Sequence, residues 1–130
     1  MSQTGAMAPV EGGASGFSVA RRMQKGVLVL VVRGELDAET TPSMTRDLDD
    51  AANASADVVV DLCGASFMDS SSLYALMVLR KRLAERARSL AVACWSEGPV
   101  AMTIHVSGAD ELFALYPTRT DAVEALTRGA

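Results

Sequence analysis

From Phe17 onward the chain runs in short apolar stretches separated by polar, glycine-bearing breaks. Residues Met1 to Gly16 are different: they are rich in Gly, Ala and Ser, carry Glu11 as their only charge and show no apolar period. That first stretch reads as a disordered tail, and residues 17–130 read as one folded domain. Phe17, Val19 and Met23 with polar neighbours predict a first strand, and Gln24-Lys25-Gly26 a turn into the next. Val27 to Val32 is an unbroken β-branched and leucine run, the pattern of a strand covered on both faces, with Gly34 as its stop.

Thr41 before Pro42 predicts a helix start, the hydroxyl capping and the proline at the first helical position, where its missing N–H costs nothing. Met44, Leu48, Ala51 and Ala52 fall on one face of this helix and leave Asp47, Asp49 and Asp50 mainly to solvent. Asp57 leads into a short buried strand, Val58 to Leu62; Asp69 to Ser72 opens a second helix running to about Arg88; Leu90 to Trp95 is another strand. Ser96-Glu97-Gly98-Pro99 introduces a third helix ending near Gly108, and Thr120 caps a last one through Val123 and Leu126. Strands alternating with helices behind an initial hairpin imply an α/β layer fold with a mixed sheet and about four helices.

Length and charge narrow the function. A chain of 130 residues suits one core, which must be largely aliphatic because six positions are aromatic. A formal charge of -4 argues against a protein that gains affinity by neutralising nucleic-acid phosphates. No apolar run reaches the roughly 18 residues of a membrane span, and no signal-peptide plan opens the chain, so a cytoplasmic protein is expected. Cys63 and Cys94 lack the spacing of a zinc or redox motif, and one histidine does not make a metal cluster; they read as two reduced, buried thiols. No metal or cofactor is expected.

Chemistry concentrates between Val58 and Leu83. The chain passes through Gly64 and Phe67 to Met68-Asp69-Ser70-Ser71-Ser72-Leu73, which gathers three hydroxyls where a helix leaves N–H groups unpaired. An over-supplied N-cap would explain this cluster; so would a site built to take added negative charge. The helix that follows docks through Leu73, Leu76, Met77, Leu83 and Ala84, yet Tyr74, Ala75, Val78 and Leu79 carry apolar character around its sides. Such a surplus means either burial beneath another segment or a face kept for a partner. Arg80, Lys81, Arg82, Arg86 and Arg88 against Glu85 make the helix's second half basic, while Arg33 to Asp61 holds eight acidic residues and two basic ones. These are either two solvated faces or opposed fields that orient a charged partner.

Gly34-Glu35-Leu36-Asp37, then Val59-Val60-Asp61-Leu62, then Phe67-Met68-Asp69-Ser70-Ser71 at a helix start resembles the STAS family of anti-sigma factor antagonists, over about Phe17 to Leu126. The resemblance implies a binding protein and not an enzyme. Its partner would be an anti-sigma factor that is also a serine kinase, with a separate phosphatase resetting the switch. By the family's motif the phosphorylated residue is Ser71. The contact surface expected on this reading comprises Asp37, Asp69, Ser70, Ser72, Tyr74 and Val78. Ser72 and Tyr74 stand where the family motif has glycines, which stiffens the backbone and enlarges the surface at the site.

Three other readings compete. A serine hydrolase would need a base, and His105, in Ile104-His105-Val106, reads better as a helix-packed or half-exposed side chain. A phosphorylated receiver domain would use Asp61, but an acidic pair is missing where its magnesium should bind. A STAS scaffold or transporter-associated subunit keeps the fold without the kinase. A Cys63–Cys94 bridge would require Cα atoms within about 7 Å.

Overall fold

The computed structural model describes residues 16–128; the expected tail, apart from Gly16, lies outside them. Strands β1 (Ser18–Gln24) and β2 (Val27–Leu36) form the antiparallel hairpin, and β3 (Val58–Met68), β4 (Leu90–Ala93) and β5 (Ala114–Tyr116) follow in parallel in the order β1-β2-β3-β4-β5. Between them run helices α1 (Thr41–Ala52), α2 (Ser70–Glu85) and α3 (Pro99–Val106), a 3-10 turn over Ala109–Glu111, and the closing α4 (Arg119–Arg128). The hairpin turns on Lys25 and Gly26, both at positive φ (53° and 81°), as a two-residue turn matched to strand twist requires.

Strand order dictates the layers. Parallel strands added one beside the next with right-handed crossovers send their connecting helices to one face. The first and larger core accordingly joins Met44 and Leu48 of α1, Leu76 of α2 and Ile104 of α3 to Leu28, Leu30 and Val32 of β2. The second core packs Ala122 and Val123 of α4 on Val27, Val29 and Val31. Side chains alternate across the sheet, so both sets of the Val27–Val32 run are buried, as its unbroken apolar character predicts.

Several boundaries differ from the sequence reading. Gly34 does not stop β2 but sits within it at φ +97°, beside register shifts against β3, where a Cβ would lie 2.8 Å from the Phe17 Cα. Strand β3 continues six residues beyond Leu62, to Met68, paired there with β2 alone because β4 ends opposite Asp61. With one neighbour it needs no continuous apolar run, so the pattern fades before the strand does. Strand β5 has no counterpart in the sequence reading, because three residues are too few to show a period. Helix α2 ends at Glu85 and not Arg88, since Ala87 takes φ 59°. Helix α1 is preceded by Thr40 as its cap residue and not Thr41, and α4 is capped by Thr118, whose Oγ1 accepts from the Asp121 N–H (3.1 Å), not by Thr120.

On α2 the inward stripe is Ser72, Leu73, Leu76, Leu79 and Leu83. Leu79, assigned to the flank, is core; Met77 is half-buried and Ala84 exposed. Each buried leucine contributes about 1.5–3 kcal/mol of transfer free energy, so four of them dock the helix without Tyr74 or Val78. Asp61, only 5% exposed, gives one carboxylate oxygen to the Cys63 N–H (2.9 Å) and the other to Arg119 Nε (2.8 Å), tying α4 to the sheet. Cys94 is buried as expected, but Cys63 is exposed, and both thiols are free. Cys94 lies in the three-helix core, whereas the Cys63 thiol donates to the Pro117 carbonyl (3.6 Å). The two thiols are not bridged to one another.

Candidate functional site

The site forms where β2 and β3 end together. The Asp69 N–H donates to the Leu36 carbonyl (3.0 Å), fixing the residue before α2 against the turn after β2. Within that turn Asp37 Oδ1 accepts from the Glu39 and Thr40 N–H groups (3.0 and 3.1 Å), and Thr40 Oγ1 donates to the Glu35 carbonyl (2.8 Å). Asp37, expected on the contact surface, is half-buried and occupied in shaping the loop that starts α1.

Asp69 caps α2. Its Oδ1 accepts from the Ser72 N–H (3.0 Å), the Ser71 hydroxyl (2.7 Å) and the Ser72 hydroxyl (3.2 Å). Burial alone would raise its pKa, but the serine hydroxyls and N–H groups outweigh that and hold the carboxyl below its ordinary value. Thr41 joins this cluster from the other helix. Its Oγ1 lies 2.8 Å from the Asp37 carbonyl, 3.2 Å from Ser71 Oγ and 3.0 Å from Ser72 Oγ. The single Thr41 proton goes to the Asp37 carbonyl and the single Ser71 proton to the Asp69 carboxylate, both of which only accept, so the hydroxyl that donates to Thr41 is that of Ser72. The sequence offered Thr41 as a cap; its bridging role depends on two helix starts meeting, which no local pattern reveals.

The three serines therefore differ in environment. Ser70 is exposed, Ser71 is half-buried, and Ser72 is fully buried at 0% exposure. Ser72, expected on the contact surface, is corrected by that burial: its hydroxyl serves Asp69 and Thr41 inside the fold. Tyr74 is 66% exposed and Val78 half-buried, both on the flank of α2.

A groove of about 550 Å³ opens between α1 and α2 beside these residues. Thr41, Ser70, Ser71 and Tyr74 line one end, Leu48, Ala75, Val78 and Leu79 its length, and Asp49 and Arg82 the other end. The acidic and basic stretches of the sequence meet along this seam: Arg82 Nη1 lies 2.7 Å from Asp49 Oδ1, and Arg86 Nη2 donates to Asn53 Oδ1 (3.1 Å). The opposed charges are thus partly spent on each other, and Arg80, Lys81 and Arg88 remain exposed. His105 is an exposed side chain whose Nδ1 lies 3.0 Å from Asp110 Oδ2, while the Ser71 hydroxyl donates to Asp69. Among the described residues no group of three His, Cys, Asp or Glu side chains is placed to hold a metal ion, and no helix is long and apolar enough to cross a membrane.

Comparison with known proteins agrees with this architecture. An anti-sigma F factor antagonist of Paenibacillus polymyxa is 31% identical over 105 residues, 79% of this chain and 86% of that protein. The crystal structure of an anti-sigma factor antagonist from Mycobacterium paratuberculosis superposes with a TM-score of 0.80 at 28% identity, covering 85% of this chain and 94% of the other. The phosphorylated form of SpoIIAA, a Bacillus cell fate determinant, shares the fold at 19% identity with a TM-score of 0.62, covering 82% of this chain and 97% of that one. The STAS domain pattern matches residues 18–122, so with this sheet order, this helix layering and these relatives the chain belongs to the STAS domain family.

Proposed function

We propose that this protein is an anti-sigma factor antagonist. It captures an anti-sigma factor with serine kinase activity and releases it once Ser71 is phosphorylated; a separate phosphatase restores the hydroxyl. The observation that carries the reading is the placement of Ser71: the half-buried hydroxyl lies at a helix start and on the rim of an apolar groove, next to the exposed ring of Tyr74. Ser70 and Tyr74 are accessible contact residues on this reading, Val78 lies along the groove, and Asp37 and Asp69 act by holding the loop and cap in place.

Phosphorylation works here through charge and through proton count. The phosphoryl group adds roughly -1.5 to -2 charges within reach of the Asp69 carboxylate. The serine oxygen also loses its proton, so the 2.7 Å hydrogen bond to Asp69 no longer has a donor. A surface that must shed water to bind a partner then carries two anions side by side. The test is to incubate the protein with the purified anti-sigma kinase and ATP and to map the modified peptide by mass spectrometry. Phosphate on Ser71 supports the switch; phosphate only on Ser70, or none with a kinase that binds, removes it.

A further inference from the structure

We propose that Thr41 is a positioning residue for the phosphorylation of Ser71: by taking the Ser72 proton it leaves Asp69 to orient the Ser71 hydroxyl. The role rests on the function proposed above; the geometry behind it does not. Asp69 Oδ1 is a crowded acceptor. The Ser72 N–H (3.0 Å), the Ser71 hydroxyl (2.7 Å) and the Ser72 hydroxyl (3.2 Å) all reach that one oxygen, which has two lone pairs. The N–H is fixed there by the helix start, so two hydroxyls contend for what remains. Thr41 Oγ1, whose own proton goes to the Asp37 carbonyl (2.8 Å), lies 3.0 Å from Ser72 Oγ and draws the Ser72 proton away. The 3.2 Å approach of Thr41 to Ser71 carries no proton, so Thr41 acts on Ser71 through Ser72 and Asp69.

Burial decides which serine gives way when Thr41 is lost. Ser72 is fully buried, and among the described residues its hydroxyl then has only Asp69 to turn to, where a buried donor left unpaired would be costly. Ser71 is half-buried at the mouth of the groove and can exchange Asp69 for water, so its hydroxyl is the one displaced. In the intact network the Ser71 proton points to Asp69 and the oxygen's lone pairs are turned away from it, available to an incoming phosphorus. Released from Asp69, the side chain samples other rotamers, and a hydroxyl that is seldom aligned is a slow acceptor. The Ser72 hydroxyl, the Thr41 hydroxyl and the Asp37 carbonyl thus form one relay that reserves Oδ1 for Ser71.

Two measurements test the role. In the free chain, three-bond couplings to the Ser71 β-protons report its χ1 angle by NMR. A single rotamer is expected for wild type, averaging for Thr41→Val, and a single rotamer again for Thr41→Ser and for Thr41→Val combined with Ser72→Ala. With the purified anti-sigma kinase and ATP, Thr41→Val should lower kcat at Ser71 by about tenfold with the KM for this chain unchanged. Thr41→Ser should restore kcat, and in a Ser72→Ala background the Thr41→Val change should cost nothing further. An equal loss in both backgrounds, an effect on KM alone, an unchanged kcat, or a Ser71 rotamer that is averaged in wild type or untouched by Thr41→Val overturns the role. If Ser72→Ala fails to fold, the contrast between Thr41→Val and Thr41→Ser decides. If the kinase leaves Ser71 of the wild-type chain unmodified, the switch fails, and the rotamer measurement, which needs no kinase, still decides whether Thr41 holds Ser71 in place.

Discussion

Thr41 Oγ1 stands 3.2 Å from Ser71 Oγ and 3.0 Å from Ser72 Oγ, and because Ser71 gives its proton to Asp69, the first residue of one helix accepts a hydrogen bond from Ser72 in the first turn of the next. Thr41→Val keeps the shape and removes the acceptor. Ser72 retains Asp69 at 3.2 Å, so the expected loss is about 1 kcal/mol, near the net worth of one hydrogen bond. Urea unfolding of Thr41→Val, Ser72→Ala and the double variant checks it: the double should lose less than the sum of the singles, because the two share one bond.

Ser71→Ala and Ser71→Asp separate folding from binding. The alanine variant should hold the anti-sigma factor and stay bound in the presence of ATP. The aspartate variant should bind about tenfold more weakly or worse, since its carboxylate lies near Asp69 in a surface to be desolvated. Stability should move much less, because a negative charge at a helix start is worth only about 0.3–1 kcal/mol in the favourable direction. Calorimetric titration of both variants against the purified partner is the measurement, and equal affinities count against the switch.

Asp69 makes a pH prediction. Its folded pKa lies below the unfolded value, so the folded state binds that proton less readily. The stability it supplies is complete above the unfolded pKa and drains away as pH falls through the folded one. Asp69→Asn should flatten this acid limb of a melting-temperature profile, and an unchanged limb would assign acid lability to other carboxyls.

Cys63 is exposed as a residue yet chemically quiet. Burial of its sulfur, then the hydrogen bond and charge of Asp61, push its pKa up to about 12. At about pH 8 almost none of it is thiolate, the reactive form. Iodoacetamide should label Cys63 more slowly than free glutathione under the same conditions, and Asp61→Asn should speed labelling, read by mass spectrometry over time.

Val78→Asp addresses the flank of α2. Four leucines already dock the helix, so the melting temperature should drop by only a few degrees while partner affinity falls by roughly tenfold or more. A collapse in melting temperature would mean that Val78 is needed by the fold.

The sheet's centre and the four helices were legible because two-sided burial writes Val27–Val32 as one apolar run and one-sided burial gives Met44, Leu48 and Ala51 a helical period. What escaped was long-range or short-lived. Leu79 looked peripheral because it sits between two flanking residues, yet α1 covers it; Cys63 looked like core because it follows a buried run, yet β4 ends before reaching it. The serine cluster was visible as composition. That Ser72 is buried and Ser71 half-exposed follows from Thr41 arriving from another helix start, a juxtaposition made by the tertiary fold.

Phe17 packs against Gly34 near the end of β2, the end that also bears Asp69 and Ser71, whereas α4 lies on the opposite face of the sheet. The two ends of the domain are therefore unequal places for an attachment. A fluorophore or affinity handle joined after Arg128 leaves the serine surface clear, while one joined ahead of Phe17 emerges beside it and crowds whatever docks there.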